Sequence, residues 1–102
     1  LTEVNTGIAA RSDQPDRFIL YPAYPNPFNA ITTVRFELPK AGSVTMEVFN
    51  IRGQKVATLA DGYRNAGEHT VRWETTGLAS GEYVIRLHLE DRIQTQKVVL
   101  QK

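Results

Sequence analysis

The sequence predicts an all-β domain on three observations. Apolar and polar residues alternate with period two in several separate windows, as in strands with one face on a core. Turn chemistry (Pro39-Lys40-Ala41-Gly42, Asn50-Ile51-Arg52-Gly53, Thr76 to Gly81) recurs at about ten-residue intervals. Convincing helical spacing is missing from every window. Six or seven short strands in a chain of 102 residues argue for an antiparallel β-sandwich of immunoglobulin type, with about seven strands. A small closed barrel is the alternative.

In chain order, residues 1–17 are rich in Thr, Asn, Ser, Asp, Gln and Gly and have no sustained periodicity. They read as a linker or the tail of an upstream domain, with the folded domain occupying residues 18–102. Phe18-Ile19-Leu20-Tyr21 is a short edge strand. From Ile31 the alternation is clean: Val34, Phe36 and Leu38 share one face, Arg35 and Glu37 the other. Val44, Met46 and Val48 line the next strand. Asn50 to Gly53 forms a type I turn, and Gln54 to about Leu59 gives a third strand with Val56 as its core candidate. A loop follows from Asp61-Gly62 through Arg64, Asn65 and Gly67. Then His69, Val71 and Trp73 face the core, and after the Thr76 to Gly81 connector so do Tyr83, Ile85, Leu87 and Leu89. Asp91-Arg92 reverses the chain into the last strand, Ile93 to about Leu100.

Between the edge strand and Ile31 lies Tyr24-Pro25-Asn26-Pro27-Phe28-Asn29, with Pro22 just before it. Proline fixes φ and has no N–H to give a ladder, so this is a stiff, non-repetitive strap. Phe28 is its aromatic anchor, expected to plug one end of the sandwich. Asn26 and Asn29 are expected to satisfy backbone groups. Tyr83, opening a late strand after a corner loop, has the position of a tyrosine corner, whose hydroxyl bonds backbone a few residues upstream.

Composition narrows the function. The chain is 41% apolar and 23% charged, with a net charge of +1 from scattered residues. Such a balance argues against a nucleic-acid partner. Apolar runs of three or four residues are too short to span a membrane as a helix. With no cysteine there is no disulfide, thiolate metal site or cysteine nucleophile. The chain opens on Leu1 without a charged-then-apolar signal segment and reads as a piece of a longer protein.

Candidate chemistry is sparse. His69 and His88 lack a paired nucleophile or ligand set, and Ser12, Ser43 and Ser80 lack a nucleophile-elbow context. No phosphate-binding glycine loop is present. Asp61, Glu68 and Asn65 cluster near one loop, but calcium takes six to eight oxygens, so solvated turn residues are the preferred reading there. Trp73, Tyr21, Tyr24 and Tyr63 invite comparison with a sugar-stacking platform. Against that, Trp73 is in phase with Val71, as a core residue would be. No catalytic set and no cofactor is expected.

The series Tyr24-Pro25-Asn26-Pro27-Phe28-Asn29, Thr32-Thr33-Val34-Arg35-Phe36-Glu37-Leu38-Pro39, Val48 to Val56, Ala66-Gly67-Glu68-His69, Trp73, Gly77 to Tyr83 and Lys97 to Lys102 resembles the type IX secretion C-terminal sorting domain, type A, also called the Por secretion domain. The likeness runs from about Leu20 to the last residue, in order. Pro25, Asn26, Pro27, Phe28, Asn29, Gly53, Gly81 and Tyr83 carry the family motif. The sequence departs from the usual pattern at Ala30 and Ile31, where Pro and Thr are common, and at Asp91-Arg92, where a glycine-rich reversal is usual.

The resemblance implies a non-catalytic domain ending a larger exported protein of Bacteroidetes-type bacteria. The parent passes through the periplasm, and the type IX machinery reads the domain and carries the cargo across the outer membrane. The cargo is released or attached to the cell surface, often after a sortase-like peptidase removes the domain on its N-terminal side. An immunoglobulin-like fold is also the family's fold. The cleavage zone is expected at Arg11 to Arg17. The surface read by the machinery is expected on the last strand and the preceding corner, at Gly81, Lys97, Val98, Leu100 and Lys102, through backbone pairing at an exposed edge with the lysines steering toward an acidic partner. The domain is expected to be a monomer. Two other classes compete: an accessory carbohydrate-binding module of an extracellular enzyme, and a structural immunoglobulin-like spacer resembling a domain of flagellar hook-capping proteins.

Overall fold

The computed structural model describes residues 17–102, and their strands form two antiparallel sheets. In chain order the strands are β1 (Ile19–Leu20), β2 (Ile31–Leu38), β3 (Gly42–Asn50), β4 (Lys55–Arg64), β5 (Gly67–Glu74), β6 (Gly81–Leu89) and β7 (Arg92–Leu100). One sheet has the order β1-β2-β5, the other β4-β3-β6-β7. Every strand-to-strand pairing is antiparallel. The all-β sandwich reading therefore holds, and the closed barrel does not form, because the two sheets remain separate.

The period-two pattern explains the packing. Val34, Phe36 and Leu38 of β2, Val44, Met46 and Val48 of β3, Ile85, Leu87 and Leu89 of β6, and Val98 and Leu100 of β7 are all buried between the sheets. Side chains at alternate positions leave for the other face, so each strand contributes a full apolar row without exposing it. Pro39, Lys40 and Ala41 carry the chain from the first sheet to the second, so β2 and β3 are neighbours in sequence but not in a ladder. Gly42 begins β3 where a Cβ would stand 3.1 Å from Leu89 Cδ1, tighter than ordinary packing.

The structure departs from the sequence reading in three places. β4 runs on through Asp61, Gly62, Tyr63 and Arg64, so the expected loop shrinks to Asn65-Ala66. Within β4 the register slips twice. Met46 pairs with Ala60 but Glu47 with Thr58, and Val48 pairs with Ala57 but Phe49 with Lys55. Each bulge moves subsequent residues to the opposite face. Leu59 and Val56 are the residues left over at the two slips, so Ala60 lies opposite Met46 and is buried, while Val56 is only partly buried. Finally, Leu89 pairs with Arg92, so the reversal is the two-residue loop Glu90-Asp91, with Glu90 at φ 56°.

Candidate functional site

The strap is built onto the free edge of the last strand. Both Tyr24-Pro25 and Asn26-Pro27 are cis. The Asn26 carboxamide spans the β7 backbone: Oδ1 accepts the Val99 N–H at 3.0 Å and Nδ2 donates to the Lys97 carbonyl at 3.3 Å. Phe28 continues with main-chain bonds, its N–H to the Val99 carbonyl at 2.9 Å and its carbonyl from the Gln101 N–H at 2.8 Å. The Thr32 hydroxyl ties the strap to β2 by donating to the Pro25 carbonyl at 2.7 Å. Asn29 is exposed.

Two glutamines extend this seam in the opposite direction. Gln94 Oε1 accepts the Leu20 N–H at 2.9 Å, and its Nε2 donates to the Phe18 carbonyl. Gln96 Oε1 accepts the Ala23 N–H at 2.9 Å, and its Nε2 donates to the Tyr21 carbonyl at 2.7 Å. Each carboxamide stands in for a peptide group, pairing with a facing backbone that lies too far away for a direct ladder. Sequence reasoning missed both residues. The available signal was their phase, since Gln94 and Gln96 continue the inward row of Val98 and Leu100 with polar residues that need a partner when half buried.

This seam corrects the expected export surface. The β7 edge is occupied from Gln94 to Gln101 by residues 18–28, so it is no open template for another strand. Val98 and Leu100 are buried, at 0% and 1% exposure, and their side chains contribute to the core, not to a surface. Of the five expected recognition residues, Gly81, Lys97 and Lys102 retain accessible atoms. The other edge of the same sheet, β4, carries the two bulges, which twist an edge away from pairing.

One end of the sandwich gathers the remaining motif residues. Phe28 packs on Trp73 with ring centroids 5.3 Å apart, and Trp73 meets Tyr83 edge-on at 5.9 Å. All three rings are buried. The Tyr83 hydroxyl donates to the Ala79 carbonyl at 2.7 Å, the corner bond expected from its position. Tyr83 pairs across the sheet with both Asn50 and Val98, which places the Asn50 turn, the Ala79-Ser80-Gly81 corner and the chain's last residues side by side. The Lys102 N–H reaches Ser80 Oγ at 3.0 Å. A shallow groove of about 210 Å³ runs between Asn50, Ile51 and Arg52 on one bank and Ala79 to Tyr83 on the other.

The turn bordering that groove is heavily braced. Asn50 Oδ1 accepts from the N–H groups of Arg52 and Gln54, at 2.9 and 3.0 Å, and Asn50 Nδ2 donates to Gln54 Oε1 at 2.9 Å. Main-chain bonds from Gly53 to the Asn50 carbonyl and from Asn50 to the Gln54 carbonyl close it. Gly53 sits at φ 83°, a left-handed conformation that glycine adopts without a Cβ penalty. The arrangement is a type I turn followed by a left-handed residue, a common three-residue hairpin.

Elsewhere, several charged groups form ion pairs. Arg17 donates to Glu37 at 3.0 and 3.2 Å, and the Tyr21 hydroxyl donates to the same carboxylate at 2.8 Å. The Arg17 hydrogen bond, followed by that of Tyr21, holds the Glu37 carboxyl below its ordinary pKa, while Glu37 raises that of Tyr21. Glu47 is likewise lowered, first by the hydrogen bond from Arg86.

The aromatic platform does not assemble. Trp73 is in the core, Tyr63 lies on β4 of the second sheet, and only Tyr21 and Tyr24 share a groove, with Pro22, Ala23, Thr33 and Arg35. His69 stacks on Phe36 at 5.2 Å with Nε2 2.7 Å from the Asn65 carbonyl. Asp61 stands on β4 opposite Thr45. Among the described residues no group of three or more His, Asp or Glu is placed to hold a metal ion, and no helix is long and apolar enough to cross a membrane.

A search of curated proteins finds no match. A family model described as "Secretion system C-terminal sorting domain" matches residues 22–101. That span runs from the strap through the final strand, and so contains both the sewn β7 edge and the aromatic-closed end. The chain belongs to the type IX secretion C-terminal sorting domain family.

Proposed function

We propose that this domain is the sorting signal of a larger exported protein, and that it acts as a docking surface without bond chemistry of its own. The type IX machinery reads the folded domain, and the cargo crosses the outer membrane to be released or attached to the cell surface. A sortase-like peptidase cuts on the N-terminal side. Of the expected cleavage window, residues 11–16 lie outside the described residues, while Arg17 belongs to the fold through Glu37. Membership of a family that is in general non-catalytic supports the reading.

The observation that carries it is the extent of the family match, which covers the strap, both sheets and the last strand in one span. The read surface is the end of the sandwich bearing Gly81, Lys97 and Lys102. Deleting residues 93–102 would remove Val98 and Leu100 from the core, so surface substitutions are the informative test. The whole chain is placed behind a reporter carrying an inner-membrane export signal, in a bacterium with type IX machinery. Display of the reporter on the surface, reduced in a Lys97→Glu, Lys102→Glu double variant of unchanged melting temperature, is the expected result. Absence of display from the unaltered fusion overturns the sorting role.

A second reading is favoured by one observation. Tyr21, Tyr24 and Arg35 line a groove of about 520 Å³, within the size range of small-ligand sites, and Tyr24 is 81% exposed. Glycan binding lost on Tyr24→Ala would support an accessory carbohydrate-binding role. Binding unaltered by that change would remove it.

A further inference from the structure

The braced turn at Asn50 displays an apolar side chain that the fold does not use. Ile51 is 81% exposed at the tip of a hairpin held by three side-chain and two main-chain hydrogen bonds. Ordering a backbone costs conformational entropy, yet none of this bracing buries Ile51. Arg52, next to it, is exposed and has no carboxylate partner among the described residues. Ile51 also forms part of the bank of the 210 Å³ groove whose far side is Ala79 to Tyr83.

We propose that Ile51 and Arg52 are the anchor of the surface that the export machinery reads, engaging a partner protein that offers an apolar recess beside a carboxylate. This inference rests on the sorting role and names the contact within it. Rigid display is the useful property. A pre-organised apolar anchor loses little freedom on binding, and a few such residues carry most of an interface's energy. Ile51 enters the partner's recess, and the groove beside it receives a side chain in return.

Charge selects the partner. Arg52 and Glu82 line the groove, with Lys102 joined to Ser80 through its main-chain N–H and Lys97 3.9 Å from Glu82, so cations outnumber carboxylates among these groups. A partner bearing acidic groups is attracted to this end of the domain, and a basic one is repelled. The backbone edges of the four-stranded sheet offer no comparable site, since one is sewn to the strap and the other is bulged.

The test uses the same surface-display fusion with Ile51→Ser and Arg52→Glu, and with Ile93→Ser as a control. Ile93 is a half-exposed apolar residue at the far end of β7. Melting temperature is measured on each purified domain. The expected result is a loss of display by about tenfold or more for Ile51→Ser and Arg52→Glu, the scale of an interface anchor, with unaltered melting and with Ile93→Ser displayed normally. Display of Ile51→Ser equal to the unaltered chain overturns the inference and leaves the sorting role standing. Loss confined to variants with lowered melting also overturns it. So does concentration-dependent dimerisation abolished by Ile51→Ser, which assigns the turn to self-association. If the unaltered fusion is not displayed, the sorting role falls and this inference with it.

Discussion

The Phe28 ring sits 5.3 Å from the Trp73 ring, inclined at 48°, and so joins a proline-rich strap to the C-terminal end of β5 in the three-stranded sheet. Phe28 is 2% exposed. Its own backbone is held by main-chain bonds on both sides, to Val99 and Gln101, so the strap has little freedom to shift into a vacated space. Phe28→Ala is expected to cost about 3–5 kcal/mol. Chemical denaturation of the purified domain measures it, and a loss under about 1 kcal/mol would contradict the buried-anchor role.

The carboxamide seam makes a separate prediction. Gln96→Ala leaves the Ala23 N–H and Tyr21 carbonyl without their partner. A part-buried group left unpaired costs about 1–3 kcal/mol. Hydrogen exchange should accelerate at the amide of Ala23 in this variant, and Asn26→Ala should do the same at Val99. Unchanged exchange at both amides would show that the seam is not what protects this edge.

Gly53→Ala tests the turn. The position requires φ near 83°, and a side chain in the left-handed region costs roughly 1–2 kcal/mol. Nothing lies within 4 Å of the added Cβ, so the cost is conformational and not steric crowding by neighbours. Gly53→Asn should recover part of the lost stability, because Asn tolerates this conformation better than Ala. Equal melting of the Ala and Asn variants would argue against this account.

Acid should weaken the contact between residue 17 and β2. Glu37's pKa in the fold is held below its ordinary 4.5 by the hydrogen bonds of Arg17 and Tyr21. A lowered folded-state pKa contributes stability that is complete above the unfolded value and is lost as pH falls through the folded one. The effect is small, because the cluster is solvent-screened. NMR titration of the Glu37 carboxyl should give a midpoint below 4.5, and Arg17→Ala should raise it.

The strands were legible because burial between two sheets imposes a local, period-two signature. Val34, Phe36 and Leu38, or Ile85, Leu87 and Leu89, need only alternate to be placed. β4 was less so, since a bulge adds a residue without leaving a mark in the hydrophobic pattern, and the second of two left Val56 out of the ladder while Ala60 took the buried place opposite Met46. Tyr83 was legible by its spacing from the corner. Gln94 and Gln96 were not, because a polar residue in phase with a core row can equally mark the end of the buried stretch.

The sequence by itself determined that the chain is all-β, where most of its strands lie, that the strap is stiff, and which family its motifs resemble. Tertiary structure decided which edge is open. Whether β7 offers its backbone to a partner depends on where the strap lies, and contacts separated by about seventy residues, such as Asn26 with Val99, leave no periodic trace in a single sequence. Tertiary structure likewise decided that Val98 and Leu100 are core, and that the Asn50 turn, the Gly81 corner and Lys102 meet at one end. Local patterns report which face of a strand is buried; only the packing of the two sheets brings distant turns together into one surface.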